Sequence, residues 1–396
     1  MPLLLSAALA GGGLAGCRSG AFPDVPPGYR EYAYISNGGA NTVTVLDLVY
    51  LRQDRTLGVG LGPTGMAVNP KRNEVYVVNT RSGSVSVIDA EANRVVATIP
   101  VRRQPYAISV DAAGRRAYVA NAGSNSVSVI DLDQRREVLA IATGEQPGLT
   151  RISPDMRSVV VTNRGSGSVS IFATGWTGSG AGESALRLRA TIAGCPGATD
   201  AAILPDSSKV FVACSGGHQV MAVNLAAAPE GWAAKGNPSL LSDRMLAMLD
   251  VGEGPVHLAM KPDGGEIFVA NFDSDSISEI ATGTNEVGGT YTIAKRPSRG
   301  VVSGDNGTLW ISNFGADSVS LYSIDDGRLV GSVRTGSSPD AMAFSADEHL
   351  LLAADARSGD VAVIRTQGKQ GPGLFTMLPA GSQPNDIVVK ALAGKR

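Results

Sequence analysis

The stretch Ala117–Asp131 reads AYVANAGSNSVSVID, which is two short apolar segments joined by a polar turn. Alternating apolar positions with many β-branched residues predict a β-strand in each segment. The pattern recurs about every 42 residues, and Val or Ile follows six residues after the position of Asn121 in every copy. Eight copies are present, with this position occupied by Asn37, Asn79, Asn121, Asn163, Cys214, Asn271, Asn313 and Asp355.

A proline forms a second landmark that also occurs eight times. Proline suits the first residue of a strand, where no N–H group is needed for pairing. It predicts one further short strand ahead of each copy, and these prolines are Pro63, Pro105, Pro147, Pro196, Pro255, Pro297, Pro339 and Pro384. Each unit therefore has four strands: A after the proline, B ending at the Asn position, C, and D before the next proline.

Four antiparallel strands repeated in this way predict an all-β fold, an eight-bladed β-propeller. The first copy begins at strand B, near Tyr32, and the last strand A, from Pro384, has no strand B after it. We therefore expect the C-terminal strand to pair with the first blade and close the ring. The predicted organisation is a leader over residues 1–16, a tether over 17–30 and one propeller domain over 31–391.

Composition limits the functions that this chain can have. Its 396 residues carry a formal net charge of −2, so no basic excess is available to neutralise phosphate groups. Nucleic-acid binding is therefore not expected. The chain contains no Cys-x-x-Cys-His, His-Glu-x-x-His, phosphate-loop or Gly-x-Ser-x-Gly motif. Sequence motifs thus indicate neither covalent haem nor a metal site.

The N-terminus resembles the signal peptide and lipobox of bacterial lipoproteins. An uncharged apolar run, too short to span a bilayer, ends in Leu14-Ala-Gly-Cys17. The resemblance implies cleavage before Cys17 and lipidation of that residue, which gives an anchor to the membrane. It departs from the family pattern because no Lys or Arg precedes the apolar run. Arg18 at the next position implies a place at the outer membrane, on its periplasmic side or at the cell surface.

The Tyr-Val-Ala-Asn and Ser-Val-Ser-Val-Ile-Asp strings resemble the YVTN-type bacterial propeller repeat over roughly residues 31–390. Relatives in this broad group include periplasmic scaffold propellers, lactonase-like proteins, subunits of quinoprotein amine dehydrogenases and the haem d1 domain of cytochrome cd1 nitrite reductase. The resemblance is specific for the fold. It does not select a function, because one fold serves many.

Strand A is expected to line the central channel, and its second residue after the proline differs most between copies. Four of these positions are apolar or glycine, and the other four are Asp200, His257, Arg299 and Asp386. Neighbouring positions add Tyr106, Asp340 and Asn385. Two interpretations remain open: a water-filled channel with structural ion pairs, or a polar ligand site or acid–base site at the channel mouth.

The repeated residues are better explained by structure than by chemistry. Asn at the end of strand B is expected to bond backbone groups in the B–C turn, and Asp at the end of strand C to do the same in the next turn. Asp273-Ser-Asp275 lacks the further oxygen ligands that calcium requires, so it is also interpreted as a turn.

Two other features distinguish individual blades. Cys195 precedes a strand A and Cys214 ends the adjacent strand B, so antiparallel pairing in an oxidising compartment predicts a disulfide. Two long C–D loops, over 173–186 and 225–243, contain Trp176 and Trp232. These loops are expected on the face opposite the channel mouth, where they offer a surface for a protein partner or are plain insertions.

Two classes of function remain. The first is a cell-envelope lipoprotein that binds a ligand or protein through its channel mouth and loops without catalysis, and the absence of catalytic motifs favours it. The second is an enzyme or cofactor protein, either a lactonase-like hydrolase or a haem d1 or quinoprotein-type redox subunit, that uses His257 and Arg299. We expect no cofactor under the first interpretation.

Overall fold

The computed structural model describes residues 25–175, 186–226, 242–368 and 371–392. Their strands form eight four-stranded antiparallel sheets, which are the eight blades of a propeller. Blade 1 contains β1 (Arg30–Asn37), β2 (Thr42–Asp47), β3 (Arg52–Gly58) and β32 (Pro384–Leu392). The only helical element in these ranges is a short 3-10 turn, Ala122–Ser124, and no helix there is long and apolar enough to cross a membrane.

The remaining blades repeat the order A, B, C, D from the channel outward. Blades 2, 3 and 4 consist of β4 (Pro63–Val68), β5 (Glu74–Asn79), β6 (Ser84–Asp89), β7 (Arg94–Pro100), β8 (Pro105–Val110), β9 (Arg116–Asn121), β10 (Ser126–Asp131), β11 (Arg136–Ala142), β12 (Pro147–Ile152), β13 (Ser158–Asn163), β14 (Ser168–Ala173) and β15 (Arg187–Ala193). Blades 5 and 6 consist of β16 (Ala198–Ile203), β17 (Lys209–Cys214), β18 (Gln219–Asn224), β19 (Arg244–Asp250), β20 (Pro255–Met260), β21 (Glu266–Asn271), β22 (Ser276–Ala281) and β23 (Glu286–Thr292). Blades 7 and 8 consist of β24 (Pro297–Val302), β25 (Thr308–Asn313), β26 (Ser318–Ser323), β27 (Arg328–Arg334), β28 (Pro339–Phe344), β29 (Leu350–Asp355), β30 (Asp360–Arg365) and β31 (Gly373–Pro379).

The ring closes as the sequence predicts. The C-terminal strand β32 pairs with β1 in antiparallel register, with Tyr34 opposite Val388, and becomes the innermost strand of blade 1. Strands B and C of each blade are almost wholly buried, and their apolar side chains pack between neighbouring blades. The prediction that Pro196 is the first residue of strand A in blade 5 is wrong, because this strand, β16, begins two residues later at Ala198.

The B-strand asparagines bind strand C, and this corrects the prediction that they serve mainly the B–C turn. In blade 2, Asn79 Nδ2 donates to Ser84 Oγ and Ser86 Oγ at 3.1 and 2.9 Å. We call this contact the Asn clasp. Equivalent clasps to Ser or Thr hydroxyls occur in blades 1, 3, 4, 6 and 7. The clasp explains why strand C begins Ser-x-Ser or Thr-x-Thr in these six blades.

Blades 5 and 8 replace the clasp. In blade 5 the clasp position is Cys214, and it forms the predicted disulfide with Cys195. In blade 8 the position is Asp355, which lies directly opposite Asp360 across the β29–β30 pair. Both carboxyl oxygens of Asp355 are buried and have no hydrogen-bond partner among the described residues. Burial, followed by the neighbouring charge of Asp360, raises the pKa of Asp355 to about 8.

The other turn residues behave as predicted. Asp131 Oδ1 accepts hydrogen bonds from the backbone N–H groups of Asp133 and Gln134. Asp275 Oδ1 accepts one from the backbone of Arg296. No cluster of three or more metal-ligating side chains occurs in the part of the chain that the structure describes.

The buried carboxyl of Asp355 predicts a loss of stability at alkaline pH. Its pKa is raised from 3.8 to about 8 in the folded protein, so folding keeps a proton that the unfolded chain releases, and stability falls as pH rises across that window. Asp355→Asn cannot ionise and supplies amide donors toward Asp360. It should stabilise the protein by about 1–3 kcal/mol at pH 9 and by less at pH 5.

Chemical unfolding at the two pH values measures this difference. The exposed Asp325→Asn is the matched control and should follow the wild type at both. Equal responses to pH in Asp355→Asn and the wild type would show that the Asp355 carboxyl does not carry this dependence.

Candidate functional site

The innermost strands of blades 5, 6 and 7 bring three of the predicted residues together at one end of the channel. Asp200 lies on β16, His257 on β20 and Arg299 on β24. His257 Nε2 lies 3.6 Å from Asp200 Oδ2, and Arg299 Nε lies 3.6 Å from Asp340 Oδ1 of blade 8. The D–A loops and B–C turns lie together at this end. In blade 7 the N–H group of Phe314, in the B–C turn, donates to the carbonyl of Arg296, in the D–A loop, and most other blades repeat this contact. We call this end the channel mouth.

Asp200 is buried but has a full set of donors. Its Oδ1 accepts from Ala201 N and Arg151 Nη2 at 2.8 and 3.2 Å, and its Oδ2 accepts from Leu258 N at 3.0 Å. Burial alone would raise the pKa of Asp200, but the charges of His257 and Arg151 and the two backbone donors outweigh it, so the pKa lies below its ordinary value. At neutral pH, Asp200 is therefore an anion whose charge is compensated within the protein.

One ring nitrogen of His257 is hydrogen-bonded and the other faces a carboxylate. Its Nδ1 accepts a hydrogen bond from the backbone N–H of Gly300 at 3.2 Å. The proton of the neutral ring must then lie on Nε2, which faces Asp200. Burial lowers the pKa of His257 to about 4, the charges of Arg299 and Arg151 lower it too, and the attraction of Asp200 does not offset them. No lone pair of this imidazole is free to accept a proton or bind a metal in the described geometry.

Arg299 is the cation of the other half of the mouth. Burial would lower the pKa of its guanidinium, but Asp340 and Asp386 raise it above its ordinary value, so the group stays charged. Asp386 accepts hydrogen bonds from Met66 N and Ile387 N at 2.8 and 2.9 Å. Burial raises the pKa of Asp386. The side chains of Arg299 and Asp340 are both partly exposed, 40% and 32% respectively, and both line the cavity at the mouth.

A cavity of about 290 Å³ opens between these side chains. Five predicted residues line it: Tyr106, Asp200, His257, Arg299 and Asp340. Asp386 lies beside Arg299 and does not line the cavity. Asn385 donates to Pro63 O and lines a neighbouring cavity instead.

Sequence reasoning missed four residues at the mouth. Arg151 lies on β12 and reaches Asp200, while Arg164, Phe272 and Phe314 directly follow the clasp asparagines of blades 4, 6 and 7. The rings of Phe272 and Phe314 lie 6.1 Å apart. The repeat contains a pattern that predicts three of these residues. The residue after the clasp asparagine differs between blades as much as the residues of strand A do, so aligning this position across the eight copies would have found Arg164, Phe272 and Phe314.

The long loops join strands C and D, as predicted, but their central parts lie outside the described residues. They connect β14 to β15 and β18 to β19. Trp176, Trp232 and the lipidation candidate Cys17 also lie outside the described ranges.

A family model matches more than half of this chain. The family model described as "Lactonase, 7-bladed beta-propeller" matches residues 59–180 and 284–374, which together make up more than half of the chain. The chain belongs to this lactonase propeller family. It has eight blades where the family description names seven. No curated protein matched the sequence.

Solved structures support the same fold. The dihydro-haem d1 dehydrogenase NirN in complex with DHE has a TM-score of 0.72 at 15% identity, over 90% of this chain and 74% of that one. A putative 6-phosphogluconolactonase from Bacteroides uniformis has a TM-score of 0.59 at 16% identity, over 92% and 100%. Kuenenia stuttgartiensis hydrazine synthase has a TM-score of 0.52 at 20% identity, over 73% and 91%. At these identities the likeness concerns the fold alone.

The neutral His257 predicts a loss of stability in acid. Its pKa falls from 6.5 to about 4 on folding, so the unfolded chain binds a proton that the folded protein does not, and stability falls as pH drops through that window. The loss attributable to this group is at most about 3 kcal/mol. His257→Gln should show a smaller fall in unfolding free energy between pH 7 and pH 4, measured with denaturant.

The exposed His218→Gln is the matched control and should keep the wild-type slope. Parallel curves for His257→Gln and the wild type would mean that His257 already titrates normally in the folded protein.

Proposed function

We propose that the channel mouth of this lactonase-family propeller binds a small carboxylate ligand without converting it. The observation that carries the proposal is the arrangement of three arginines around one cavity: Arg151, Arg164 and Arg299. Two carboxylates, Asp200 and Asp340, line the same cavity. Arg164 is exposed and makes no ion pair with any described residue, so one cation is left to meet an anion from solution.

The ligand that fits is small, polar and partly apolar. A volume of about 290 Å³ lies at the lower end of the range for small-molecule sites. Arg164 and Arg299 suit a carboxylate, and the partly exposed Asp340 suits a hydroxyl donor. Tyr106, which is 49% exposed, and Phe272 offer apolar faces. A hydroxy acid or sugar acid combines these features.

The interior of the site argues against catalysis by His257. A general base needs a free lone pair within reach of the substrate. In His257 the acceptor nitrogen bonds Gly300 N, and the other nitrogen carries the proton that faces Asp200. Asp200 itself is occupied by three donors. These two residues are therefore assigned to holding the shape and charge of the cavity.

A haem d1-type cofactor does not fit this site well. An axial histidine ligand needs an available ring nitrogen, and His257 offers none in the described geometry. We therefore derive no redox step for this protein.

Lactone hydrolysis is the second candidate, and one observation favours it besides family membership. Asp340 is partly exposed next to the Arg299 guanidinium. In that geometry Arg299 could polarise a lactone carbonyl while Asp340 accepts a proton from the attacking water. Hydrolysis of the ester bond adds one water and leaves a hydroxy acid, which is the class of ligand proposed for the same cavity.

We further propose that the protein is anchored in the cell envelope and binds a protein partner through its long loops. The lipobox-like sequence at Cys17 supports a lipid-anchored protein of the cell envelope. Loops 173–186 and 225–243 leave the blades at the face opposite the channel mouth, so a protein bound there would leave the mouth open to its ligand.

Loss of the Arg299 charge should weaken ligand binding. Titration calorimetry with gluconate and galacturonate should give binding to the wild type that Arg299→Ala weakens by about tenfold or more, since a charged hydrogen bond contributes about 1.5–3 kcal/mol. Arg299→Lys should retain part of the affinity. Arg52→Ala, an exposed arginine on the outer strand β3, is the control. Equal affinity in Arg299→Ala and the wild type would refute the proposed site.

The two candidate functions separate in a lactone assay. Under the primary proposal, purified protein hydrolyses δ-gluconolactone no faster than buffer. A rate above buffer that is lost in Asp340→Asn and kept in His257→Gln would establish the hydrolase instead. The first variant keeps the shape of the side chain and removes the base, so its effect reports on proton transfer.

A further inference from the structure

The cavity at the channel mouth continues on both sides. A cavity of about 490 Å³ between blades 3 and 4 shares Tyr106, Gly148 and Arg164 with it. A cavity of about 750 Å³ between blades 7, 8 and 1 shares Asp340 with it. The three cavities adjoin one another at these shared residues, in a row that crosses the mouth from blades 3 and 4 to blades 8 and 1, and we call this row the groove. A small carboxylate would fill only its centre.

The backbone supplies an independent observation. The residue before strand A has positive φ in all eight blades, which is the left-handed conformation that glycine adopts without cost. Glycine occupies this position in blades 2, 5 and 6. In blades 3, 4 and 1 it is Gln104, Gln146 and Gln383, with φ of 49°, 48° and 54°. A residue before proline normally prefers extended backbone, so glutamine is a strained choice at all three positions.

These three glutamines are the ones that line the flanking cavities. Their side chains are exposed, and their amides make no hydrogen bond within the described ranges. Arg296 and Ser338 share this backbone conformation in blades 7 and 8, so the strain alone does not single out the glutamines. The strain together with an exposed, unbonded amide at a cavity points to a function for the glutamine side chains. An amide offers both a donor and an acceptor, which matches the hydroxyl groups of a sugar.

The charged and aromatic residues of the groove agree with this chemistry. Arg164 lies at one flanking cavity and Arg357 at the other, and neither forms an ion pair with the described residues. Tyr106 lines the central cavity and the cavity between blades 3 and 4, and Phe314 lines the cavity between blades 7, 8 and 1. Aromatic faces, free amides and separate arginines together suit a ligand with hydroxyl groups, apolar C–H faces and carboxylates spaced along its length.

We propose that the groove binds a linear acidic oligosaccharide, with one acidic unit at Arg299 and further units over the flanking cavities. This inference rests on the carboxylate site proposed above and extends it to a polymer. The glutamines before strand A act as binding residues for the sugar hydroxyls, and Arg164 and Arg357 bind carboxylates of the outer units.

Calorimetry with galacturonate and with its linear tetramer tests the inference. The tetramer should bind the wild type at least about tenfold more tightly than the monomer, because units on one chain occupy adjoining subsites. A neutral glucose tetramer should bind more weakly than the acidic one. If the monomer binds and the tetramer gains nothing, the groove is refuted while the carboxylate site stands. If neither binds, the carboxylate site fails with it.

The strained glutamines allow a variant that should not harm the fold. Gln146→Gly with Gln383→Gly should weaken the tetramer by about tenfold, leave the monomer unchanged, and keep or raise the thermal midpoint because glycine relieves the left-handed backbone. Ser338→Gly is the matched control: it occupies the same backbone position in blade 8, but its side chain is buried. Loss of stability without loss of tetramer affinity would assign the glutamines a purely structural role.

The aromatic contribution has its own control. Tyr106→Ala should weaken the tetramer about tenfold, whereas Tyr50→Ala should not. Tyr50 is 57% exposed and is stacked by Arg52, but it lies in a C–D turn on the opposite face. Equal effects of the two substitutions would show that binding is not localised to the groove.

Discussion

The hydrogen bonds from one asparagine amide to two hydroxyls of the next strand are the contact on which this propeller depends. The clasp holds strands B and C together at the end of the blade that faces the channel mouth. It also places the B–C turn against the loop before strand A. The residue after the asparagine and the residues after the proline therefore lie at the end of the blade nearest the mouth. Because the blade is held by other residues, these positions can vary without loss of the fold.

Two blades have another residue in place of the clasp asparagine at the end of strand B. In blade 5 a disulfide ties the end of strand B to the loop before strand A, and this covalent bond stands where the other blades have hydrogen bonds from strand B to strand C. In blade 8 two facing carboxyls occupy the position, and burial keeps Asp355 protonated near neutral pH. All three arrangements hold the end of strand B in place. The disulfide depends on the redox state and the carboxyl pair depends on pH, whereas the Asn clasp depends on neither.

The channel mouth combines charges that serve the protein with charges that face solvent. Arg151 and two backbone N–H groups hold Asp200, and the only lone pair of the neutral His257 ring accepts from the backbone of Gly300. These groups maintain the cavity and are not free for proton transfer. Arg164, Arg299 and Asp340 are partly exposed and are available to a ligand. Family membership does not tell these two groups of charges apart, because one fold serves many functions. The hydrogen bonds and ion pairs of the individual atoms do tell them apart.

The sequence alone determined the number of blades, the order of strands, the closure of the ring and the disulfide. Each of these follows from local patterning and from the spacing between copies, because every blade repeats the same four-stranded antiparallel pairing. Five of the seven residues proposed for the mouth also line the central cavity. Only the tertiary structure could decide which nitrogen of His257 is engaged, that Arg151 reaches Asp200, and that the asparagines bind strand C. These contacts join different strands or blades, and their geometry depends on strand stagger and side-chain direction, which a repeat pattern does not encode.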